Sequence, residues 1–61
     1  MKNNETSSLQ PRENILFTAL KLFAAQGLAR TTVRQIAKEA AVNVSAISYY
    51  FGDKNGLYRA A

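Results

Sequence analysis

Helix-start and helix-stop residues recur along this chain at intervals that leave room only for a set of short helices. Pro11 stands where a helix begins, because a residue at the first helical position has no use for its N–H. Gly27 ends the run that follows. Thr32 and Gln35 form a Thr-x-x-Gln capping box, Asn43 is a good N-cap, and Gly52-Asp53 breaks one helix and caps the next. Between these marks the apolar residues follow helical spacing. Ile15, Leu16, Ala19, Leu22 and Phe23 line one face of a helix from Arg12 to Gln26. A second helix runs from Val33 through Ile36 and Ala37 to Ala40, a third from Val44 to about Tyr50, and a fourth starts at Lys54 and carries Leu57 and Tyr58. One rival reading pairs Ile47–Phe51 with Leu57–Ala61 as a hairpin about Asn55-Gly56. The second of those segments lacks strand alternation, and a lone hairpin is marginal in water. The helical reading stands.

Composition narrows the function. With 61 residues there is room for one small domain, and no cysteine is present to staple a thin core or bind metal. Histidine is absent as well, and the four acids, Glu5, Glu13, Glu39 and Asp53, are scattered. Catalytic residues, metal ligands and cofactors are therefore expected to be none. Ser45 and Ser48 have no base in range by motif, and Gly52-Asp53-Lys54-Asn55-Gly56 is not a phosphate-binding loop. The net charge of +4 favours an anionic partner: nucleic acid, an acidic protein or a membrane surface. Residues 1–10 are polar and read as a flexible arm without the apolar stretch of a signal peptide. Ile15–Ala25, the longest apolar-rich stretch, holds Thr18 and Lys21 and is too short to span a bilayer. The expectation is a cytoplasmic protein with no membrane partner.

Two short helices joined by a tight turn in a basic chain pose the helix-turn-helix question. Close crossing needs a small residue mid-helix, here Ala37. It also needs apolar neighbours, here Ile36, Ala40, Val42 and Ile47. The turn wants a residue tolerant of positive φ, normally Gly; this chain offers Ala41 at about 1 kcal/mol of strain.

The wider string sharpens this. Ile15-Leu16, Ala19, Leu22-Phe23, Gly27, Thr31-Thr32, Arg34, Ile36-Ala37, Glu39-Ala40, Val42, Ile47, Tyr49-Tyr50-Phe51, Lys54 and Leu57 stand in the order and spacing of one family. From about Arg12 to Ala60 the chain resembles the TetR-type DNA-binding domain, and Asn43–Lys54 looks most like the CecR-like branch. The departures are Ala41, where that family prefers Gly, and Ser48, where it often has Tyr. The resemblance implies an all-α, homeodomain-like three-helix bundle with a helix-turn-helix over 32–51, plus the start of a fourth helix. It implies a transcriptional regulator, usually a repressor, that binds a palindromic operator in double-stranded DNA. Family members dimerise and bind small-molecule effectors through a C-terminal domain that lies outside these 61 residues.

Residues 11–61 then form the DNA-binding unit. Projected at 100° per residue, the third helix turns Ile47 and Phe51 inward. It turns Ser45 and Tyr49 outward, with Ala46 and Ser48 at the rim. This face has no Lys, Arg, Asn or Gln for bidentate base contacts. It offers the hydroxyls of Ser45 and Ser48, the methyl groups of Val44 and Ala46, and phenols of Tyr49 and Tyr50 for phosphate. Asn43 is read first as a cap. Arg34 is the candidate for direct base readout, as TetR-like proteins often present arginine there, with Val33 and Thr32 beside it. Lys54 sits where a helix prefers an acid, which makes sense if a phosphate docks there. Lys21, Lys38 and Arg59 read as surface charges, while Arg30 and Lys2 could join the contact loosely.

Phe17, Leu20 and Ala24 form a second apolar stripe on the first helix that three short helices cannot cover. It is expected to meet the arm or protein beyond this chain. The alternatives to DNA binding are a basic amphipathic peptide at a membrane surface and a protein–protein module anchored on Phe17 and Leu20. The basic residues are not gathered on one helix face, which disfavours the first.

Overall fold

In the computed structural model, which describes residues 10–61, four helices follow one another: α1 (Pro11–Gln26), α2 (Val33–Ala40), α3 (Val44–Phe51) and α4 (Lys54–Ala60). No strand forms among the described residues. Pro11 occupies the start of α1, and Gln10, expected in the arm, is its N-cap: the Gln10 N–H donates to the Glu13 carboxylate at 3.2 Å. The rest of the expected arm, with Lys2, lies outside the described residues.

The expected inner face of α1 is the one that packs. Ile15, Ala19 and Phe23 are buried against Ile36, Ala37 and Ala40 of α2, Ile47 of α3 and Leu57 of α4. Burying a side chain the size of Ile or Leu contributes about 1.5–3 kcal/mol, so Ile15, Ile36, Ile47 and Leu57, all fully buried, carry most of the core. The rings of Phe23 and Tyr58 meet edge to face with their centroids 5.2 Å apart, which ties α1 to α4. Phe17, Leu20 and Ala24 stay exposed, as the second stripe predicted.

Three polar groups lock the helices at junctions that periodicity does not reveal. The buried Thr31 hydroxyl donates to the Gly27 carbonyl at 2.7 Å, closing the loop between α1 and α2. The Asn14 side-chain amide donates to the Ala40 carbonyl at 2.8 Å, satisfying an acceptor that the C-terminus of α2 leaves unpaired. The Gln26 amide donates to Gln35 Oε1 at 2.7 Å, which links the end of α1 to the start of α2.

The turn between α2 and α3 is a Schellman motif. Ala41 adopts φ 61°, ψ 44°, the left-handed geometry anticipated for it. Its N–H donates to the Lys38 carbonyl at 3.3 Å, and the Val42 N–H to the Ala37 carbonyl at 3.0 Å. These bonds satisfy the last carbonyls of α2 and turn the chain sharply into α3. Helix, turn and helix are thus held by Ala37, Ala41, Val42 and Ile47, as the sequence pattern required.

At the α3–α4 junction the Asp53 carboxylate accepts from the Gly56 N–H at 2.8 Å, the expected N-cap. The hairpin alternative is not adopted, and Gly56 has a different task from turning a hairpin. A Cβ at this position would overlap the Phe51 carbonyl oxygen, so glycine is what lets the first turn of α4 pack against the end of α3.

Candidate nucleic-acid interface

With the apolar faces of α2 and α3 turned into the core, their outer faces define the exposed surface of the helix-turn-helix. Thr32 and Arg34 are exposed at the start of α2, and Asn43, Val44, Ser45, Ser48, Tyr49 and Tyr50 are exposed along α3. Tyr49 is the most open of the large apolar and aromatic side chains, at 83%. The structure therefore leaves most of the residues expected at the site open to solvent.

The capping box forms as read. Thr32 Oγ1 accepts from the Gln35 N–H at 3.1 Å, and the Thr32 N–H donates to Gln35 Oε1 at 3.2 Å. The Thr32 hydroxyl keeps its own proton for an outside acceptor, and the N–H groups of Val33 and Arg34 have no intrahelical partner. That arrangement suits a phosphate oxygen.

Four assignments are modified. Asn43 stands at the N-cap of α3, but its side chain makes no capping bond; the Asn43 backbone carbonyl instead accepts from the Ala46 N–H at 3.0 Å. Its amide is exposed, with two donors and an acceptor to present to a base edge. Val33 and Ala46 are half-buried and pack against the core, which reduces what their methyl groups can present outward. Lys54 has a partner within the protein: its ammonium donates to the Leu28 carbonyl at 3.0 Å. One of its three donors thus braces the α1–α2 loop, and this bond is itself a reason for a cation at the unfavourable end of α4.

Charge around α3 comes from its neighbours, since the sequence Val44–Phe51 contains no Lys, Arg, Asp or Glu. Arg34 of α2 and Lys54 of α4 supply two cations, and a third was missed. Arg12, exposed in the first turn of α1, places its guanidinium carbon 5.2 Å from the centre of the Phe51 ring. The signal was present, because Arg12 is a cation at the positive end of a helix dipole, the same anomaly that singled out Lys54. Gln26, which holds Gln35 and thereby the cap of α2, gave no such signal. No helix is long and apolar enough to cross a membrane among the described residues.

Residues 15–61 match the family of bacterial regulatory proteins of the tetR type. Among curated relatives, the chain is similar to the probable HTH-type transcriptional regulator YttP of Bacillus subtilis, 50% identical over 75% of this chain and 22% of that one. It is also similar to two regulators of Shigella flexneri. AcrR is 37% identical over 93% of this chain and 26% of its own length, and the dual regulator CecR is 43% identical over 84% and 22%. The CecR-like pattern is thus represented without being set apart from other branches. The chain spans about a fifth to a quarter of the length of these relatives. No solved structure gives a significant match. The match over most of the chain, the all-α fold and the helix-turn-helix agree: this chain belongs to the TetR family of bacterial regulatory proteins and carries its helix-turn-helix domain.

Proposed function

We propose that this domain reads a palindromic operator in pairs, as the DNA-binding head of a repressor whose C-terminal domain dimerises and takes a small-molecule effector. The observation that supports this reading is the division of labour on the helix-turn-helix. Its inner face is a sealed apolar core, while its outer face gathers hydroxyls, phenols, an amide and an arginine. In this reading Arg34 and Asn43 contact base edges, for which guanidinium and amide groups have the right donor geometry. Val44, Ser45, Ala46 and Ser48 line the groove floor. Thr32 and Val33, through hydroxyl and backbone N–H, with Tyr49, Tyr50 and Lys54, hold phosphates and set the helix in register.

The test is a binding titration with duplex selected by the protein from a randomised library, repeated at several salt concentrations. If each domain neutralises roughly four phosphates and two domains bind together, log K falls against log salt with a slope of about −7. A slope near zero, or equal affinity for anionic vesicles, would rule the reading out. Release of the duplex by a metabolite is the matching test of the effector, and binding of two protomers per duplex that of the dimer.

A further inference from the structure

The last turn of α3 ends in a row of aromatic rings with a charge at one end. Tyr49 and Tyr50 meet edge to face at 5.0 Å, Tyr50 and Phe51 lie 6.4 Å apart, and the Arg12 guanidinium sits over Phe51. Tyr49, Tyr50 and Arg12 are exposed, whereas Phe51 is half-buried and packed against the core. Phe51 is therefore the fixed member of the row, and it holds Arg12 of α1 at the end of that row.

A cation–π contact gives the guanidinium a place without using its hydrogen-bond donors, so the exposed fork is open to an outside acceptor. Among the available acceptors, a phosphate oxygen fits a forked cation best, and it also accepts from a neighbouring phenol. The helix that faces the DNA carries no cation of its own. A positive charge at its C-terminal end can come only from another element: Lys54 of α4 spends one donor on the Leu28 carbonyl, and Arg12 of α1 lies over Phe51.

We propose that Arg12 and Tyr50 form a composite phosphate clamp at the end of α3, a backbone contact made by α1, outside the helix-turn-helix. The proposal rests on the DNA-reading function above. The contact adds affinity and fixes the angle of α3 without reading sequence.

The experiment uses the full chain and the selected duplex, with Arg12→Gln, Arg12→Lys and wild type compared across salt concentrations. Arg12→Gln keeps a polar stem and removes the charge. It should reduce the slope of log K against log salt by about 0.9 for each domain bound. Affinity should fall by roughly tenfold, evenly over operator variants, with the thermal midpoint little changed. Arg12→Lys should keep the wild-type slope.

Three results would overturn the clamp. An unchanged slope with a lowered thermal midpoint makes Arg12 a brace for Phe51 alone. A loss confined to one base position makes it a base reader. A lowered slope in Arg12→Lys separates the effect from charge. If the wild type itself shows no salt-dependent preference for the selected duplex, the DNA-reading function has failed rather than the clamp.

Discussion

Gln26 and Gln35 share a 2.7 Å hydrogen bond between side chains, and through it the last residue of α1 reaches the cap of α2. Gln35 Oε1 accepts from the Thr32 N–H as well, so a single amide oxygen serves both the cap and the helix–helix junction. Gln26 also donates to the Arg30 carbonyl and to Thr31 Oγ1, each at 3.3 Å.

Gln26→Ala should lower stability by about 1 kcal/mol, the net worth of a part-exposed hydrogen bond. The sharper measurement is a double-mutant cycle with Gln35→Ala in urea unfolding. A coupling of about 0.5 kcal/mol or more is expected for residues that share a network. Strict additivity would show that the junction is held by the loop alone.

Gly56→Ala is expected to destabilise, by about 1–3 kcal/mol, because the new methyl group would meet the Phe51 carbonyl oxygen. The sign makes this informative, since in an unobstructed helix the same change gains about 1 kcal/mol. The shift would pull on Leu57, the fully buried anchor of α4. A raised urea midpoint would mean that α4 does not press on the end of α3.

Ala41→Gly should stabilise by about 0.5–1 kcal/mol. Alanine carries left-handed strain at φ 61°, which glycine does not, while glycine gives back part of the gain as unfolded-chain entropy. A lower urea midpoint for the glycine variant would argue that the turn leaves the left-handed geometry in solution.

The elements and their order were legible in the sequence because helix ends are written in single residues: Pro11 opens α1, and Thr32 with Gln35 and Asp53 cap where they stand. Ala41 was legible for the same reason, as one position with one geometric demand. The core followed from spacing, down to the exposed stripe of Phe17 and Leu20. What could not be read were contacts between residues far apart in the chain. Asn14 with Ala40, Lys54 with Leu28 and Arg12 with Phe51 each join polar or charged groups to partners fixed only by the way the helices cross. Asn43 shows the opposite error. Its residue type is right for a cap and its position is right, yet the side chain turns out to solvent, because the α3 start is met by a backbone bond instead.

Lys54→Met separates two roles that coincide at one ammonium group. Loss of the bond to the Leu28 carbonyl should lower stability by about 1 kcal/mol. If Lys54 also meets a phosphate, the salt slope of DNA binding should fall by about 0.9 per domain, evenly over sequences. A stability loss with an unchanged slope would assign Lys54 to the loop brace alone, and relaxed specificity would make it a base contact.

Arg34→Ala should behave in the reverse manner. Its side chain is exposed in the first turn of α2, so the thermal midpoint should hardly move. A guanidinium that bridges the two acceptors of a guanine edge contributes about 1–3 kcal/mol of discrimination at one base pair, and removing it should flatten preference there alone. The measurement is a set of affinities for duplexes that each carry one substituted base pair, with wild type and variant side by side. Preference should disappear at one position in each half-site and persist at the others, including any set by Asn43 at the start of α3. A uniform weakening with a reduced salt slope would move Arg34 to the phosphate contacts, leaving Asn43 to carry direct readout.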